Sequence, residues 1–298
     1  MRKLFYLSLV CGLLLSCGDG TNSKVDRSCP MGYDKSYQVQ QIDSTTWLIN
    51  ESDMATIYLV AGKEKAALID AGVGTGDIRR LAGSLTTLPV TMYNTHGHSD
   101  HIGGDYMFDE VYMSLADKLI YNDFFNPENR RQSIKHFIDN NKDFHLTEEE
   151  IEHLANTPPA KVKDLKEGDV IDLGGRDLEV VDMPGHTAGS LIFLDRAHKF
   201  IFSGDVINVQ MWMWLEEALP LEVYDNAIRR VRPMFNEFER IYNGHERQTG
   251  GLAISHVDSI ISHLDAIKAK RCKVDTMDVW GNKVPCYTFN DWKILLKK

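Results

Sequence analysis

The sequence predicts an α+β fold organised as one domain, in which strands and helices alternate in two successive halves. Two observations support this prediction. Short apolar runs bounded by glycine and polar residues, the pattern of strands, recur in both halves and are separated by segments with helical spacing. The chain has 298 residues, enough for one sizeable core, and related polar motifs are spread from residue 96 to residue 245. A domain boundary inside that stretch is therefore not expected.

The first half opens with strands and then becomes helical. Three apolar runs predict an antiparallel set, a helix should follow them, and a further strand precedes the first motif: residues 47–49, 55–60, 66–69, 74–84 and 90–93. From residue 114 to residue 153 the chain is polar and favours helix, and Thr147-Glu148-Glu149-Glu150 is a capping-type helix start. We expect this segment either to cover a site as a lid or to pack on the sheet edge.

The second half repeats the scheme of the first. Strand-like runs continue from residue 170 to residue 245, and residues 251–270 have the spacing of an amphipathic helix. No low-complexity tract or short tandem repeat interrupts them.

Four metal-capable side chains stand within six residues directly after the strand-like run 90–93: His96, His98, Asp100 and His101. Histidines two residues apart in an extended turn can point at one ion, and Asp100 and His101 can reach a second ion beside it. Imidazole with carboxylate suits zinc, and to a lesser degree iron or manganese. The alternative is a polar loop that is merely rich in histidine.

Three later positions follow the same pattern. His186, Asp205 and His245 each come after an apolar run and lie in a turn marked by glycine. A single histidine of this kind is usually a surface residue or a satisfied core residue. The repetition of strand followed by ligand in four places favours a shared metal site at one edge of a sheet.

The set His96-X-His98-X-Asp100-His101, followed by His186, Asp205 and His245, resembles the metallo-β-lactamase superfamily, and most closely its branch of glyoxalase II-like hydrolases and lactonases. The resemblance extends from about Tyr37 to the region after His245, and Asp70 matches a residue that commonly supports the metal-binding loop. It implies a four-layer αββα sandwich with two bound metal ions.

The resemblance also assigns roles to these residues. It implies that His96, His98 and His186 bind the first metal, that Asp100, His101 and His245 bind the second, and that Asp205 bridges the two. The expected cofactors are two Zn²⁺ ions, with iron or manganese as possibilities. A metal-bridging hydroxide would be the nucleophile, and Asp100 would act catalytically by shuttling its proton.

The resemblance narrows the reaction to a metal-dependent hydrolysis of an ester, lactone, thioester or similar bond in a small molecule. Members that hydrolyse β-lactams usually carry cysteine or serine where this chain has Asp205, so a β-lactamase is a less favoured alternative. An iron-dependent oxidoreductase of the sulfur dioxygenase type shares much of the ligand set and is a second alternative.

Aromatic residues after Asp205 are candidates for substrate contact. Trp212 and Trp214 lie in the run Met211-Trp212-Met213-Trp214-Leu215, which is expected near the mouth of the site as an apolar wall or, equally, as packing of a connecting helix. Tyr224 is a further candidate, as an oxyanion donor.

The charge balance bears on partners. The formal net charge is −10, from 33 basic and 43 acidic residues. This opposes nucleic-acid binding and discourages a polyanionic substrate. The expected partner is a small molecule.

The N-terminus has the pattern of a targeting segment. A basic start is followed by an apolar stretch too short for a comfortable membrane span, and Leu14-Leu15-Ser16-Cys17 resembles the lipobox of bacterial lipoproteins. We therefore expect residues 1–16 to be a signal peptide, Cys17 to carry lipid, residues 17–36 to form a flexible tether and residues 37–298 to form the hydrolase domain. The protein would then be lipid-anchored to a membrane in the bacterial cell envelope, outside the cytoplasm. The alternative is an ordinary secretory signal.

Three cysteines would remain after lipidation of Cys17: Cys29, Cys272 and Cys286. An extracytoplasmic location permits a disulfide, for which Cys272 and Cys286 are the natural pair, and the odd number leaves one thiol without a partner.

Overall fold

The structure is a computed structural model that describes residues 37–52, 54–140 and 145–297. The predicted signal peptide, the tether, Cys17 and Cys29 lie outside the described residues.

The first half of the chain forms a seven-stranded sheet with its strands in sequence order. The strands are β1 (Tyr37–Asp43), β2 (Thr46–Glu51), β3 (Ala55–Ala61), β4 (Ala66–Ile69), β5 (Val90–Tyr93), β6 (Glu110–Met113) and β7 (Lys161–Asp164). Strands β1 to β4 pair with one another antiparallel, as the apolar runs predicted for β2 to β4, and β4 to β7 pair in parallel. Strand β1 was not predicted.

The second half forms a six-stranded sheet with the order β14-β13-β11-β10-β9-β8. Its strands are β8 (Val170–Asp172), β9 (Asp177–Asp182), β10 (Leu191–Asp195), β11 (Phe200–Gly204), β13 (Arg240–Asn243) and β14 (Leu252–Ala253), while β12 (Gln210–Met213) belongs elsewhere. Strands β8 to β11 are antiparallel and β11 pairs with β13 in parallel, so the second half repeats the antiparallel-then-parallel scheme of the first.

Seven α-helices accompany the sheets in the described part of the chain. They are α1 (Ile78–Leu85), α2 (Ser99–Ile102), α3 (Lys118–Phe124), α4 (Pro127–Asn140), α5 (Glu148–Asn156), α6 (Leu221–Val231) and α7 (Ser255–Lys268). Helix α1 begins later than the sequence predicted, because Gly72 and Gly74 take left-handed backbone angles, with φ of 67° and 77°, and Asp77 then caps the helix. Thr147 forms the predicted capping box with Glu150 at the start of α5.

Alternating side chains of each strand separate into two cores. On β3, Tyr58 and Val60 face the other sheet, whereas Ile57 and Leu59 face the helices on the outside. On β10, Phe193 faces the first sheet and Ile192 faces α6 and α7. Both sheets are therefore buried on both faces, and the layers run helix, sheet, sheet, helix. The predicted α+β class and αββα sandwich are confirmed.

A third sheet was not predicted. Strands β15 (Asp275–Val279), β16 (Asn282–Thr288) and β17 (Lys293–Leu296) join β12 in the order β12-β17-β16-β15. The tryptophan-rich run expected as a loop or a helix is thus largely the strand β12, whose partner β17 comes from the end of the chain. A strand paired with a distant segment leaves little local signal, which is why the sequence did not show it.

The described residues bear on two questions: whether a disulfide forms and whether a helix could cross a membrane. Cys272 and Cys286 are both free thiols, so the structure does not contain the disulfide considered above. Within residues 37–52, 54–140 and 145–297, no helix combines the length and the apolar composition needed to cross a bilayer.

Candidate metal centre

The seven proposed ligands meet at one edge of the two sheets. Each is delivered by a turn that follows a strand: β5 leads to His96 and its neighbours, β9 to His186, β11 to Asp205 and β13 to His245. Their donor atoms form three overlapping groups that could hold a metal ion: His96, His98 and His186; Asp100, His101 and His245; and His96, His101 and Asp205. The first two groups match the predicted sets, and the third places Asp205 between them. We call these seven residues the ligand floor.

The three-histidine group is compact. Nε2 of His96 lies 3.1 Å from Nδ1 of His98, and the rings of His98 and His186 are 4.5 Å apart between centroids. Two nitrogens bound to one tetrahedral zinc ion at about 2.0–2.1 Å would be about 3.3 Å apart. The spacing of these nitrogens therefore fits a shared ion.

The second group combines histidine with carboxylate. Oδ2 of Asp100 lies 3.6 Å from Nε2 of both His101 and His245. Asp205 reaches both sides of the site, since its Oδ2 lies 3.0 Å from His245 and 3.6 Å from His186. This position between the groups is the one that a bridging carboxylate requires.

Several buried polar atoms at the ligand floor have no hydrogen-bond partner among the described residues: Nε2 of His101, Nε2 of His186 and Oδ1 of Asp205. Buried polar groups in folded proteins are nearly always paired, and leaving one unpaired costs about 1–3 kcal/mol. Atoms of three different turns that converge without partners are explained by a cation that they would share. The donor set and its geometry thus fit two divalent metal ions.

Asp70 orients two of the proposed ligands. Its Oδ2 accepts a hydrogen bond from Nδ1 of His101 at 2.8 Å and another from the Thr95 hydroxyl at 2.8 Å. Because that hydroxyl proton goes to Asp70, Nδ1 of His96 donates to the Thr95 oxygen at 3.0 Å. Both histidines therefore turn their Nε2 atoms towards the site. This agrees with the supporting role that the resemblance assigned to Asp70.

A backbone carbonyl orients His186. Its Nδ1 donates to the carbonyl oxygen of Trp212 at 2.7 Å, which leaves Nε2 for a metal ion. Since Trp212 lies on β12, the third sheet holds one ligand of the centre in place.

Sequence analysis missed two buried carboxylates that tie the ligand turns together. Asp117 accepts hydrogen bonds from the backbone N–H of Gly97 and of Gly189 and from the hydroxyl of Thr187. It thereby joins the turn of His96 and His98 to the turn of His186. Asp117 precedes a helix and has an ordinary capping pattern, so no local signal distinguished it.

Glu51 is the second such carboxylate. It is buried and accepts from the backbone N–H of Val73 and from both the backbone N–H and the hydroxyl of Thr75. These contacts fix the turn after β4, which packs beside the ligand floor. Burial raises the pKa of the Glu51 carboxyl, although the bonds from Thr75 and Val73 act in the opposite direction.

The three-histidine group is held in the neutral form. Burial lowers the pKa of His186 to about 4, and His98 acts in the same direction. Burial also lowers the pKa of His98, and it lowers that of His96 well below the usual range. A metal ion needs the neutral imidazole, so this group is ready to bind one at neutral pH.

The other two histidines behave differently. Burial alone would lower the pKa of His101, but Asp100, Asp70 and Asp205 outweigh it and raise that pKa well above its usual range. For His245, burial is likewise outweighed, by Asp205 and Asp100. The same contacts with His245 and His101 hold the pKa of the Asp205 carboxyl well below its usual range, against the effect of burial. A cation at this group therefore competes with protons.

Gly244 leaves the space that the centre needs. A Cβ at this position would lie 2.4 Å from Oδ1 of Asp205 and 2.5 Å from Cε1 of His101. No side chain fits there without displacing a proposed ligand.

The ligand floor opens into a cavity of about 710 Å³. Its lining includes Trp212, one of the three predicted substrate contacts, whereas the other two lie outside the lining. Trp214 packs against Trp212 without lining the cavity. Tyr224 lies on α6 and is wholly buried, and its hydroxyl donates to the carbonyl oxygen of Val206. The tyrosine is part of the hydrophobic core and is not available as an oxyanion donor.

Comparisons with known proteins agree with this geometry. The metallo-beta-lactamase superfamily matches residues 52–245 of the chain. An acyl-coenzyme A thioesterase of Gallus gallus is 35% identical over 220 residues, which are 66% of this chain and 74% of that protein. Matches to proteins of the same name from Bos taurus and Homo sapiens cover 58% of their length.

Two further comparisons concern a more distant enzyme and a solved structure. A hydroxyacylglutathione hydrolase of Bdellovibrio bacteriovorus is 30% identical over 144 residues, which are 48% of this chain and 44% of that enzyme. A metallo-beta-lactamase structure from Pontibacter korlensis has a TM-score of 0.55 at 20% identity and covers 77% of this chain and 99% of that chain. At that identity the likeness shows the fold alone. The match over residues 52–245, together with the ligand turns, shows that this chain belongs to the metallo-beta-lactamase superfamily.

Proposed function

We propose that the protein is a metal-dependent hydrolase that releases an apolar acyl group from a small ester or thioester, with two zinc ions as its cofactors. One observation carries the proposal: two adjoining groups of potential metal ligands, with several buried atoms that have no hydrogen-bond partner, border a cavity that also has apolar lining residues. The names of the relatives support the choice of bond, because they describe hydrolases of acyl groups carried on a thiol.

The metal ions would be held by the ligand floor as the resemblance assigned them. When bound, two divalent cations supply Lewis acidity toward a carbonyl oxygen and lower the pKa of water toward neutrality. The protein's own groups position the metal ligands and move the proton. Asp70 and the Trp212 carbonyl hold His101 and His186 in a single orientation, and Asp117 keeps the two ligand turns at a fixed separation.

Asp100 is the proposed catalytic residue. Its side chain is 28% exposed and lines the cavity, in contrast to the fully buried His101 beside it. A carboxylate in that position can accept the proton that water loses as it attacks the acyl carbon and can pass it to the departing oxygen or sulfur.

The cavity lining bears on the carrier of the acyl group. Four acidic side chains, Asp100, Asp123, Asp205 and Glu217, line it, whereas Arg130 is the one arginine or lysine among the described lining residues. A polyanionic carrier such as coenzyme A finds no cluster of cations there. We therefore propose an uncharged or weakly charged leaving group, which distinguishes this chain from its acyl-coenzyme A thioesterase relative.

The experiment combines metal analysis of the full-length protein with turnover of decanoyl N-acetylcysteamine thioester, decanoyl-coenzyme A, a p-nitrophenyl ester, a lactone and a cephalosporin. We expect about two zinc ions per chain and chelator-sensitive hydrolysis of the neutral thioester or ester. One iron per chain with an inert panel would instead support the sulfur dioxygenase alternative. Turnover of the cephalosporin alone would support a β-lactamase.

A pair of variants tests the role of Asp100. Asp100→Asn should lower turnover by about a hundredfold or more, because the amide cannot accept the proton. Asp177→Asn, at an exposed position at the start of β9, is the matched control and should leave turnover unchanged. Equal activity of both variants would refute the proposed proton transfer.

We also propose that residues 1–16 are removed and that Cys17 carries lipid, which would tether the catalytic domain to a membrane of the cell envelope. Support comes from the lipobox-like run Leu14-Leu15-Ser16-Cys17. Growth with an alkyne-tagged fatty acid should label the protein and fail to label Cys17→Ser. Equal labelling of both forms would contradict lipidation at this residue.

A further inference from the structure

The far side of the cavity is built from apolar side chains of three helices. Ile120 and Phe124 lie one turn apart on α3, Ile134 and Phe137 lie one turn apart on α4, and Leu154 comes from α5. We call these five residues the helical wall. Ile120, Phe124 and Ile134 are only half-buried, so they present apolar surface to the cavity. Covering that surface with an apolar ligand would be favourable.

Opposite the helical wall stands a cluster of three tryptophans. Trp212 lies on β12, and Trp214 directly follows that strand. Trp280 lies in the turn between β15 and β16. The ring of Trp280 lies 5.1 Å from that of Trp212 and 5.8 Å from that of Trp214 between centroids. It also contacts the ring of His136 on α4 at 6.5 Å. The hairpin tip therefore spans the gap between the third sheet and the helices.

The backbone of Trp280 is unusual for a tryptophan. Val279 pairs with Asn282, so Trp280 and Gly281 form a two-residue hairpin turn, and their φ angles are 51° and 79°. A turn with two positive φ angles strongly favours Asn-Gly, since a bulky residue in the left-handed region is strained. Turn formation therefore does not account for a tryptophan at this position.

Burial does not account for it either. The Trp280 side chain is 66% exposed, although it lines the cavity. In the free protein this residue contributes little to stability, because its backbone is strained and its ring is mostly in contact with solvent. Its surface becomes useful when a ligand lies between it and the helical wall, because strained positions cluster at ligand-binding sites.

From these observations we propose that the space between Trp280 and the helical wall holds the acyl chain of the substrate, and that Trp280 determines how long a chain is accepted. This inference rests on the proposed hydrolase function and specifies its substrate as a medium or long straight-chain acyl compound. Because His98, His186 and His245 of the ligand floor line the same cavity, the carbonyl carbon would sit beside them while the chain extends along Ile120 and Phe124.

The test compares a series of p-nitrophenyl esters from acetyl to dodecanoyl with the full-length protein and Trp280→Asn. Asparagine suits the turn, so this variant should keep or raise Tm while it removes the ring. We expect the ratio of kcat/KM for decanoyl over acetyl ester to fall about tenfold, the loss expected for contacts of two or so methylene groups. Trp280→Phe should retain most of the ratio.

The matched control is Leu119→Asn. This leucine is on α3, beside the helical wall in sequence, is 82% exposed and does not line the cavity. Its chain-length profile should equal that of the unmodified protein. An unchanged ratio in Trp280→Asn, or an equal loss at every chain length, would overturn the inference while leaving the hydrolase proposal intact.

A binding measurement separates the two proposals if no ester is turned over. Calorimetric titration with decanoate and with acetate should show tighter binding of decanoate, and Trp280→Asn should weaken it about tenfold. Chain-dependent binding without hydrolysis would refute the proposed function and retain the acyl pocket. Equal binding of the two acids would refute the pocket.

Discussion

The ligand floor and the helical wall border one cavity, yet they are built in opposite ways. The floor consists of residues on short turns at the ends of buried strands, where Asp70 and the Trp212 carbonyl hold His101 and His186 and Asp117 ties two of the turns together. The wall consists of apolar side chains on the faces of three helices, and Ile120, Phe124 and Ile134 among them are only half-buried.

This difference indicates that the chemistry and the binding of the apolar group are supported by different parts of the site. Metal ligation and proton transfer tolerate little displacement, so they require rigid support. An apolar pocket is non-directional and tolerates many shapes, so it can be assembled from helices and loops. We expect substitutions in the floor to affect chemistry steeply and substitutions in the wall to affect stability or chain preference gently.

The largest effect is expected for Asp205→Asn in the floor. Asp205 lies between the two proposed metal groups, and its amide substitute removes a negative charge that both would share. Turnover should fall about a thousandfold, with bound metal reduced below two ions per chain. Metal analysis and kinetics of this variant beside Asp177→Asn provide the measurement, and full metal content with full activity would contradict the bridging role.

The next largest effect is expected for Asp70→Asn, because Asp70 contacts the proposed ligands without being one of them. Asp70 has a φ of 63°, a conformation that asparagine also tolerates, so the backbone should not change. The amide weakens the orientation of His101 and of Thr95, and metal affinity should fall about 10- to 100-fold. A competition titration with a chromogenic zinc chelator measures this. Unchanged affinity would show that the floor does not need its supporting carboxylate.

Acidification should affect the two metal-binding groups of the ligand floor at different pH values. Because the pKa of His186 is lowered to about 4, protons do not compete with a cation there at pH 5. The pKa values of His101 and His245 are raised by the nearby carboxylates, so these imidazoles take up protons at a higher pH. As the pH falls from 7 to 5, the ion at the group of Asp100, His101 and His245 should dissociate before the ion at the three-histidine group. The metal content should therefore fall from two ions to about one ion per chain. Metal content after dialysis at each pH tests this, and simultaneous loss of both ions would contradict it.

The smallest effect is expected in the scaffold of the wall. Arg131 on α4 donates two hydrogen bonds to the carboxylate of Glu152 on α5, at 2.6 Å and 2.7 Å, and a third to Glu128. These groups are solvent-exposed, so Arg131→Met should lower Tm by no more than about 2 °C and leave metal content unchanged. Thermal melts in low and high salt give the measurement. A large loss of metal would show that wall and floor are mechanically coupled.

Much of the floor could be predicted from the sequence, because its signals are local. The four ligands from His96 to His101 fall within six residues, and His186, Asp205 and His245 each follow a buried strand directly. The chain's short apolar runs placed these strands, and turns at strand ends carry their side chains to one edge. Asp117 escaped prediction because its partners, Gly97 and Gly189, lie 20 and 72 residues away in sequence.

The wall and its rim could not be predicted in the same way. Residues 114–153 were expected to be helical, and α3, α4 and most of α5 lie in the described part of this stretch, but whether it covers the site or packs on the sheet was left open. The structure gives both outcomes, since Tyr121 packs in the core while Phe124 on the same helix lines the cavity. Tyr224 was assigned to the site from residue type alone, and helix α6 turns it into the core.

The sequence by itself determined the fold class, the superfamily and the identity of the metal-capable residues, since each depends on patterns that span a few residues. Tertiary structure decided which of those residues meet, which carboxylates hold them and what faces them across the cavity. Trp280 shows the physical reason. It is 68 residues from Trp212 and 144 from His136 by their positions in the chain, and only the pairing of β12 with β17 and of β15 with β16 brings the three rings together.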